Sequence, residues 1–418
     1  MGGLLVASLI AGLSTGAVAK EEIVYTCWGN PFELTAEKNA IEAFSKAFPD
    51  IKVSLLHIPS RYEEKVVTMT AAGTPPDVVT WGDVHLPRLY QGLLPLDSLI
   101  KSQIDKSIYL FPEHFFKRAS LEGKVYILPK RYDGIGVMVY NEKLFDEAGL
   151  GYPSEPYPRK ITTEEFTQIG RKIAKDVDGD GKTDIFGSDP LFYGIVGPWF
   201  GVHNTGVVYK NGKWVCTWDS PENIAAIEFL YSAMYKEKWA LPWGENRIQH
   251  FVAGRVAMLT DFGWYLKGEL DKIVNFGWDL AARPGKEAPL GGIVGVGVSR
   301  YGKHTDAAWK LAKFLSTDIR GQGELQYAFA VGVTKEAAKK FLEAEHPKYL
   351  AYMVKPVGKI PEVPYLYVAP PKRLRELHSL FWNEIKTLYE GKETPESLCK
   401  RITAEANKIL EEEREWGE

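Results

Sequence analysis

Ile23-Val24-Tyr25-Thr26-Cys27-Trp28 is an apolar run rich in strand formers, halted by Gly29-Asn30-Pro31. A helical pattern follows, with Ile41, Phe44 and Phe48 at i, i+3 and i+7, ended by Pro49-Asp50. Ile51 to Ile58 reads as a second strand, and Arg61 to Ala72 as a second helix stopped at Gly73-Thr74-Pro75-Pro76. Asp77-Val78-Val79-Thr80-Trp81 is a third strand, short enough to be a central parallel one. A β-α-β-α-β order demands right-handed crossovers in an open sheet. Such sheets bind ligands beyond the carboxyl ends of their strands. The residues standing there are Trp28, Gly29 and Asn30, and Trp81, Gly82 and Asp83.

The alternation continues outward, which makes the fold class α/β. Val125 to Pro129 and Ile135 to Tyr140 are strand-like, separated by Lys130-Arg131-Tyr132-Asp133-Gly134. Thr162 to Glu165 forms a capping-box signature, and Ser220-Pro221 starts another helix. Val256 to Thr260, Phe276 to Ala281 and Ile293 to Ser299 are strands. Thr305 to Ser316 is an amphipathic helix turning Ala308, Trp309, Leu311, Ala312 and Leu315 inward. Leu374 to Leu410 reads as two helices joined at Gly391-Lys392.

At 418 residues, and roughly 150 residues per domain, two or three domains are expected. Apolar and charged fractions of 45% and 25% are those of a globular chain, which disfavours long disorder and multiple membrane spans. A net charge of −3 offers no cationic excess for phosphate binding, so a nucleic-acid partner is not expected. Cys27, Cys216 and Cys399 lie far apart without a CxxC, which excludes a disulfide framework or cysteine zinc site. One disulfide stays open, with no pair selected. Aromatic residues make up 12% of the chain. Most belong to the core, but tryptophan favours sites with one apolar and one polar side, as the stacking of flat rings requires. Leu4 to Val18 is apolar and ends in Ala17-Val18-Ala19, the pattern of a signal peptide over residues 1–19 cleaved after Ala19, although Met1-Gly2-Gly3 lacks the usual basic residues. The expected location is therefore exported, periplasmic or at the cell surface.

Catalytic signatures are nearly empty. Neither HExxH nor a phosphate-binding GxxxxGK[ST] occurs, and Gly12-Leu13-Ser14-Thr15-Gly16 matches GxSxG only inside the leader-like run. One local motif is specific. Asp176, Asp178, Asp180, Lys182 and Asp184 fall at positions 1, 3, 5, 7 and 9 of a DxDxDG loop, the pattern that gathers oxygens around a structural calcium ion. Position 12 is Gly187, where a bidentate glutamate would complete an EF-hand, so Asp189 or a distant acid would have to finish the shell. A solvated acidic turn is the competing reading.

Several longer stretches carry a resemblance. Pro76-Asp77-Val78-Val79 precedes Leu93-Leu94-Pro95-Leu96-Asp97. Leu128-Pro129 precedes Tyr140-Asn141-Glu142-Lys143-Leu144-Phe145 and Ala148-Gly149-Leu150. Phe251-Val252-Ala253-Gly254-Arg255-Val256-Ala257-Met258 is followed by Gly263-Trp264, and Gly291-Gly292 by Ala307-Ala308-Trp309. In this order and spacing they resemble the extracellular solute-binding proteins of ABC importers, the family that includes maltodextrin-binding proteins. Pro158-Arg159-Lys160-Ile161-Thr162 replaces the usual Pro-x-Thr-Trp, a departure that bears on the ligand.

The resemblance implies a two-lobed periplasmic-binding-protein fold of type II with extra C-terminal helices. Residues 20–130 and 281–328 would form the N-terminal lobe and 131–280 and 329–418 the C-terminal one, with crossings near Lys130–Asp133, Val274–Leu280 and Ala328–Thr334. It implies a monomer that closes on a sugar, by a hinge, and is recognised by a membrane permease. By position, Trp28, Asn30, Arg61, Trp81 and Asp83 would edge the first lobe's cleft, and Arg131, Tyr132 and Asp133 the hinge. Trp199, Trp264 and Tyr265 would serve the second lobe, Gly292 would admit the ligand to backbone, and Tyr365 and Tyr367 would line the cleft. Rings would cover the C–H face of a sugar while charged groups bond its hydroxyls. Core packing competes for each Trp, a solvated helix face for Arg61, and a hinge salt bridge for Arg131 and Asp133. An anionic or other small solute, such as a glycerophosphodiester or polyamine, is the second ligand class. A secreted carbohydrate-active enzyme using Asp83 and Asp133, and a calcium-dependent adhesion module, are rival functions.

Overall fold

The computed structural model describes residues 21–132, 137–156, 159–189, 207–211, 213–261, 270, 273, 275–282, 284, 292–322, 331–343 and 373–415. The leader-like segment 1–19 lies outside them. Its thirteen described strands fall, in chain order, at β1 (Glu21–Cys27), β2 (Ile51–His57), β3 (Val78–Gly82), β4 (Ser120–Leu121), β5 (Lys124–Val125) and β6 (Ile127–Tyr132). They continue with β7 (Val137–Asn141), β8 (Val207–Lys210), β9 (Lys213–Cys216), β10 (Met258–Asp261), β11 (Trp278–Ala282), β12 (Ile293–Val298) and β13 (Val331–Gly332).

The opening β-α-β-α-β reading holds. β1 is parallel to both β2 and β3, with the helices Pro31–Ala47 and Tyr62–Ala71 as crossovers. The first sheet then extends in the order β2-β1-β3-β12-β6-β13. β12 runs antiparallel between β3 and β6, so a strand from late in the chain sits mid-sheet. All six residues of β12 and of β6 are buried, as expected for strands covered on both faces. Phe44 and Phe314, from helices Pro31–Ala47 and Thr305–Thr317, meet edge-to-face at 5.5 Å over this sheet.

The second sheet is the antiparallel set β10-β7-β11. Its residues alternate between two sides, as a period of two dictates. Met138, Tyr140, Met258 and Ala281 face a core completed by Ile227, Phe381, Leu398 and Ile402, whereas Val139, Leu259 and Leu280 face the other way. The C-terminal helices Leu374–Glu384 and Pro395–Glu415 supply much of that second core.

The chain changes sheets between Tyr132 and Val137 and again between Ala282 and Ile293. The later switch falls beyond the expected Val274–Leu280, because β11 still pairs with β7 as far as Ala282. A second difference is larger. β13 pairs with β6 in the first sheet, and Ala338 of the following helix Lys335–Glu343 lies in the first core. The sequence division places residue 329 onward in the second lobe; pairing with β6, a non-local contact, keeps 331–343 with the first.

Candidate functional site

The first sheet's carboxyl edge begins at Asn30, whose side chain accepts the Glu33 amide at 3.0 Å. Glu33 Oε2 reciprocally accepts the Asn30 amide at 2.9 Å, a capping box on the helix Pro31–Ala47. Gly29 sits at φ 129°, and a Cβ there would stand 2.7 Å from Glu33 Cβ, so this tight entry needs glycine. Glu33 Oε1 then accepts from Arg131 Nη1 at 2.6 Å. Asn30 remains exposed, but its first task is to start the helix.

Beside it, Trp28 is half-buried and packs edge-to-face on Tyr62 at 4.9 Å. Tyr62 donates to the Thr26 carbonyl at 3.1 Å, which fixes the ring that Trp28 leans on. Behind this edge a second buried pair joins Lys130 to Glu37 at 2.6 Å, with Tyr25 and Thr80 completing the chain of bonds. Full pairing is what makes such buried charges tolerable.

Three expected ligand contacts are corrected. Trp81 is fully buried, its ring tilted against Tyr62 at 5.9 Å, and cannot offer a face to a solute. Tyr132 is fully buried among Phe111, His114 and Phe115, for the same reason. Asp83 is nine-tenths buried; its carboxylate is paired with Arg118 and accepts the Ile293 amide at 3.2 Å. Gly292 belongs to that clamp, since a Cβ on it would lie 3.1 Å from Asp83 Oδ1. Its lack of a side chain lets backbone approach Asp83.

The arginines are also committed. Arg131 is buried and paired with Glu33. Arg61 begins the helix Tyr62–Ala71 at φ 53° and pairs with Glu64 at 2.6 Å, largely in solvent. It lines a surface groove with Leu56, Pro59 and Met69. Asp133, Trp199, Trp264, Tyr265, Tyr365 and Tyr367 lie outside the described residues.

Sequence reasoning missed Glu33, Arg118 and a cluster on the second sheet. Asp189 is fully buried and accepts from Arg247 Nη1 at 3.0 Å, from the Thr260 amide at 3.2 Å and from Thr260 Oγ1 at 3.0 Å. Burial raises its carboxyl above the usual range, against the opposing pull of Arg247. Asp189 is therefore spent on β10 and does not finish a cation shell. Asn30-Pro31 with Glu33 was a readable capping signal; Arg118 and Asp189 had none, because their partners are distant in sequence.

In the acidic loop, Asp176, Asp178 and Asp184 bring carboxylate oxygens within 4.8 Å of one another. Asp176 also accepts the Gly179 and Gly181 amides at 2.7 and 2.8 Å, and both glycines have positive φ. Asp180 departs from the expected set. It turns to Lys182 Nζ at 3.0 Å, and that bond holds its carboxyl below the usual range. Lys182 thereby spends its side chain on Asp180 as well. The three converging acids are the residues suited to a hard cation.

A family model described as bacterial extracellular solute-binding protein matches residues 31–319. The chain is 24% identical over 299 residues to an arabinooligosaccharide-binding protein of Halalkalibacterium halodurans, covering 68% of this chain and 63% of that one. It is 23% identical over 305 residues to a maltotriose-binding protein of Pyrococcus abyssi, covering 70% and 62%. The alignments thus span less than two thirds of those relatives. Among solved structures, an ABC substrate-binding protein from Listeria monocytogenes in complex with cycloalternan superposes with a TM-score of 0.76 at 24% identity, covering 94% of this chain and 99% of that one. The sugar-binding protein MalE from Xanthomonas citri gives 0.74 at 20%, covering 94% and 98%. The fold is thus the α/β periplasmic-binding-protein fold, and the chain belongs to the bacterial extracellular solute-binding protein family.

Proposed function

We propose that this protein is the exported, monomeric substrate-binding component of an ABC importer, and that it takes an oligosaccharide between its lobes and presents it unchanged to the permease. The observation that carries the ligand class is Trp28: a half-buried indole at the carboxyl end of β1, braced by Tyr62. Such a ring covers the apolar face of a pyranose while its polar edge stays wet. Relatives named for arabinooligosaccharide and maltotriose binding support the same reading. The anionic alternative rested on Arg61 and Arg131; pairing with Glu64 and Glu33 weakens it. An enzymatic role is not proposed, since the family is one of binding proteins.

We further propose that Asp176, Asp178 and Asp184 hold one calcium ion that staples their loop. Converging carboxylates repel one another until a cation neutralises them.

The test is a thermal-shift screen against maltotriose, arabino-oligosaccharides, monosaccharides and glycerophosphodiesters. A ligand that binds only the folded state raises Tm by mass action. A shift with one oligosaccharide series, with the sugar recovered intact by chromatography, supports the proposal. A shift with glycerophosphodiesters alone would sink the sugar assignment, and hydrolysed product would sink the binding-protein role.

A further inference from the structure

All three cysteines are buried thiols in the structure, but they are not equivalent. Cys27 lies on β1 in the first core. Cys216 and Cys399 both lie in the second. Cys216 ends β9, and that strand is laid along the C-terminal helix Pro395–Glu415 by specific bonds. The Cys216 amide donates to Asn407 Oδ1 at 2.9 Å, and the Asp219 amide donates to Thr403 Oγ1 at 2.9 Å. Cys216 Sγ itself lies 4.0 Å from Thr403 Oγ1. Cys399 is one helical turn before Thr403, and residues at i and i+4 share a face with Cβ atoms about 5–6 Å apart. Helical side chains also tilt toward the N-terminus, so Thr403 leans toward Cys399. After burial, Cys216 is the group that most raises the Cys399 thiol, which puts each sulfur in the other's field.

We propose that Cys216 and Cys399 are a disulfide pair, closed by oxidation and tying the β8–β9 hairpin to the C-terminal helix. The bond asks the Cys216 side chain to turn from Thr403 toward the preceding turn of the helix. Members of an extracellular family meet oxidising surroundings, where such bonds persist. The timing follows from chemistry. In the folded chain burial pushes the Cys399 thiol up to about 12 and raises Cys216 too, so little thiolate exists to react. Oxidation therefore belongs to the folding chain. With glutathione disulfide as oxidant, one cysteine thiolate attacks a glutathione sulfur, forms a mixed disulfide and expels one glutathione thiolate. The second cysteine thiolate attacks the protein sulfur of that mixed disulfide and expels the other. Two protein thiols lose two protons and two electrons, and one glutathione disulfide becomes two glutathiones.

The test is refolding of the full chain from denaturant with a glutathione redox pair, then alkylation in denaturant without reductant and peptide mass mapping. The expected result is one alkylated cysteine, Cys27, and a linked peptide pair containing Cys216 and Cys399. Protein folded under reductant and only then exposed to the oxidant should instead take three alkyl groups. Reduction should lower the Tm of the oxidised form and leave that of Cys399→Ser unchanged; Cys27→Ser should keep the linked pair. Three alkyl groups after oxidative refolding, or a link that includes Cys27, would overturn the pairing. The wild-type chain alone decides this, whatever the variants do.

Discussion

Replacing Arg118 by Met would strip the Asp83 carboxylate of its guanidinium while leaving it buried. Breaking such a pair from one side costs about 3–5 kcal/mol. Urea unfolding should show that loss, and Arg118→Met with Asp83→Asn should recover part of it, since removing both charges is far cheaper than stranding one. The tryptophans should separate in the opposite sense. Trp81→Ala empties a fully buried site and should cost about 3–5 kcal/mol of stability. Trp28→Ala should leave the fold nearly intact and weaken oligosaccharide binding about tenfold, or about 1.4 kcal/mol, by calorimetry. Equal affinity in Trp28→Ala would remove this ring from the site. Trp28 was legible in the sequence because a strand followed by Gly-Asn-Pro places it at a sheet edge. Trp81 was misread because β12, pairing Gly295 with Trp81 and Val294 with Gly82, carries the sheet past the point where β3 seemed to end. Nothing near residue 81 announces a partner more than two hundred positions away.

At the level of elements, local chemistry was readable wherever it was self-contained. Thr162 and Glu165 exchange the two bonds of a capping box, at 2.7 and 3.1 Å, and Ser220 caps the helix that Pro221 opens. The helix Thr305–Thr317 buries the five residues its pattern assigned inward. β13, two residues long, had no pattern to read. The helix Thr163–Ile173 carries a test of packing against propensity. Gly170→Ala gains about 1 kcal/mol of helix propensity, but its Cβ would stand 2.4 Å from Trp239 Cε3 and overpacking costs about 1–3 kcal/mol. A net fall in Tm is expected. At the C-terminus, the hydrogen bond from Arg401 holds the Glu393 carboxyl down to about 2. Depressed from a usual value near 4.5, this group stabilises the fold fully above pH 4.5 and loses that contribution as pH falls toward 2. The Tm gap between wild type and Glu393→Gln should therefore be open at neutral pH and close across that window. Calcium should raise Tm and EDTA reverse the rise, with Asp178→Asn blunting both; no response would leave the acidic loop a solvated turn.

For the molecule as a whole, β6 and β12, after and before which the chain changes sheets, are neighbours in the first sheet. Under the proposed closure, the connections leaving these adjacent strands would flex, together with the later passage from Ala338 in the first core to Leu377 in the second. Small-angle scattering should show the radius of gyration fall on addition of whichever sugar raises Tm; an unchanged radius would argue against closure. The opening β-α-β-α-β unit was legible because it is local, whereas the second lobe came from the family resemblance and strand order was not legible, because it is set by encounters between distant segments. That same order has a kinetic meaning. Gly82 waits for Val294, and Tyr132 for Val331, before the first sheet is whole. A nascent chain must emerge past Ile293 before its opening strands gain their middle, and chains that depend on such remote closure fold slowly. Under the proposed export, that delay would leave the chain open while it crosses a membrane.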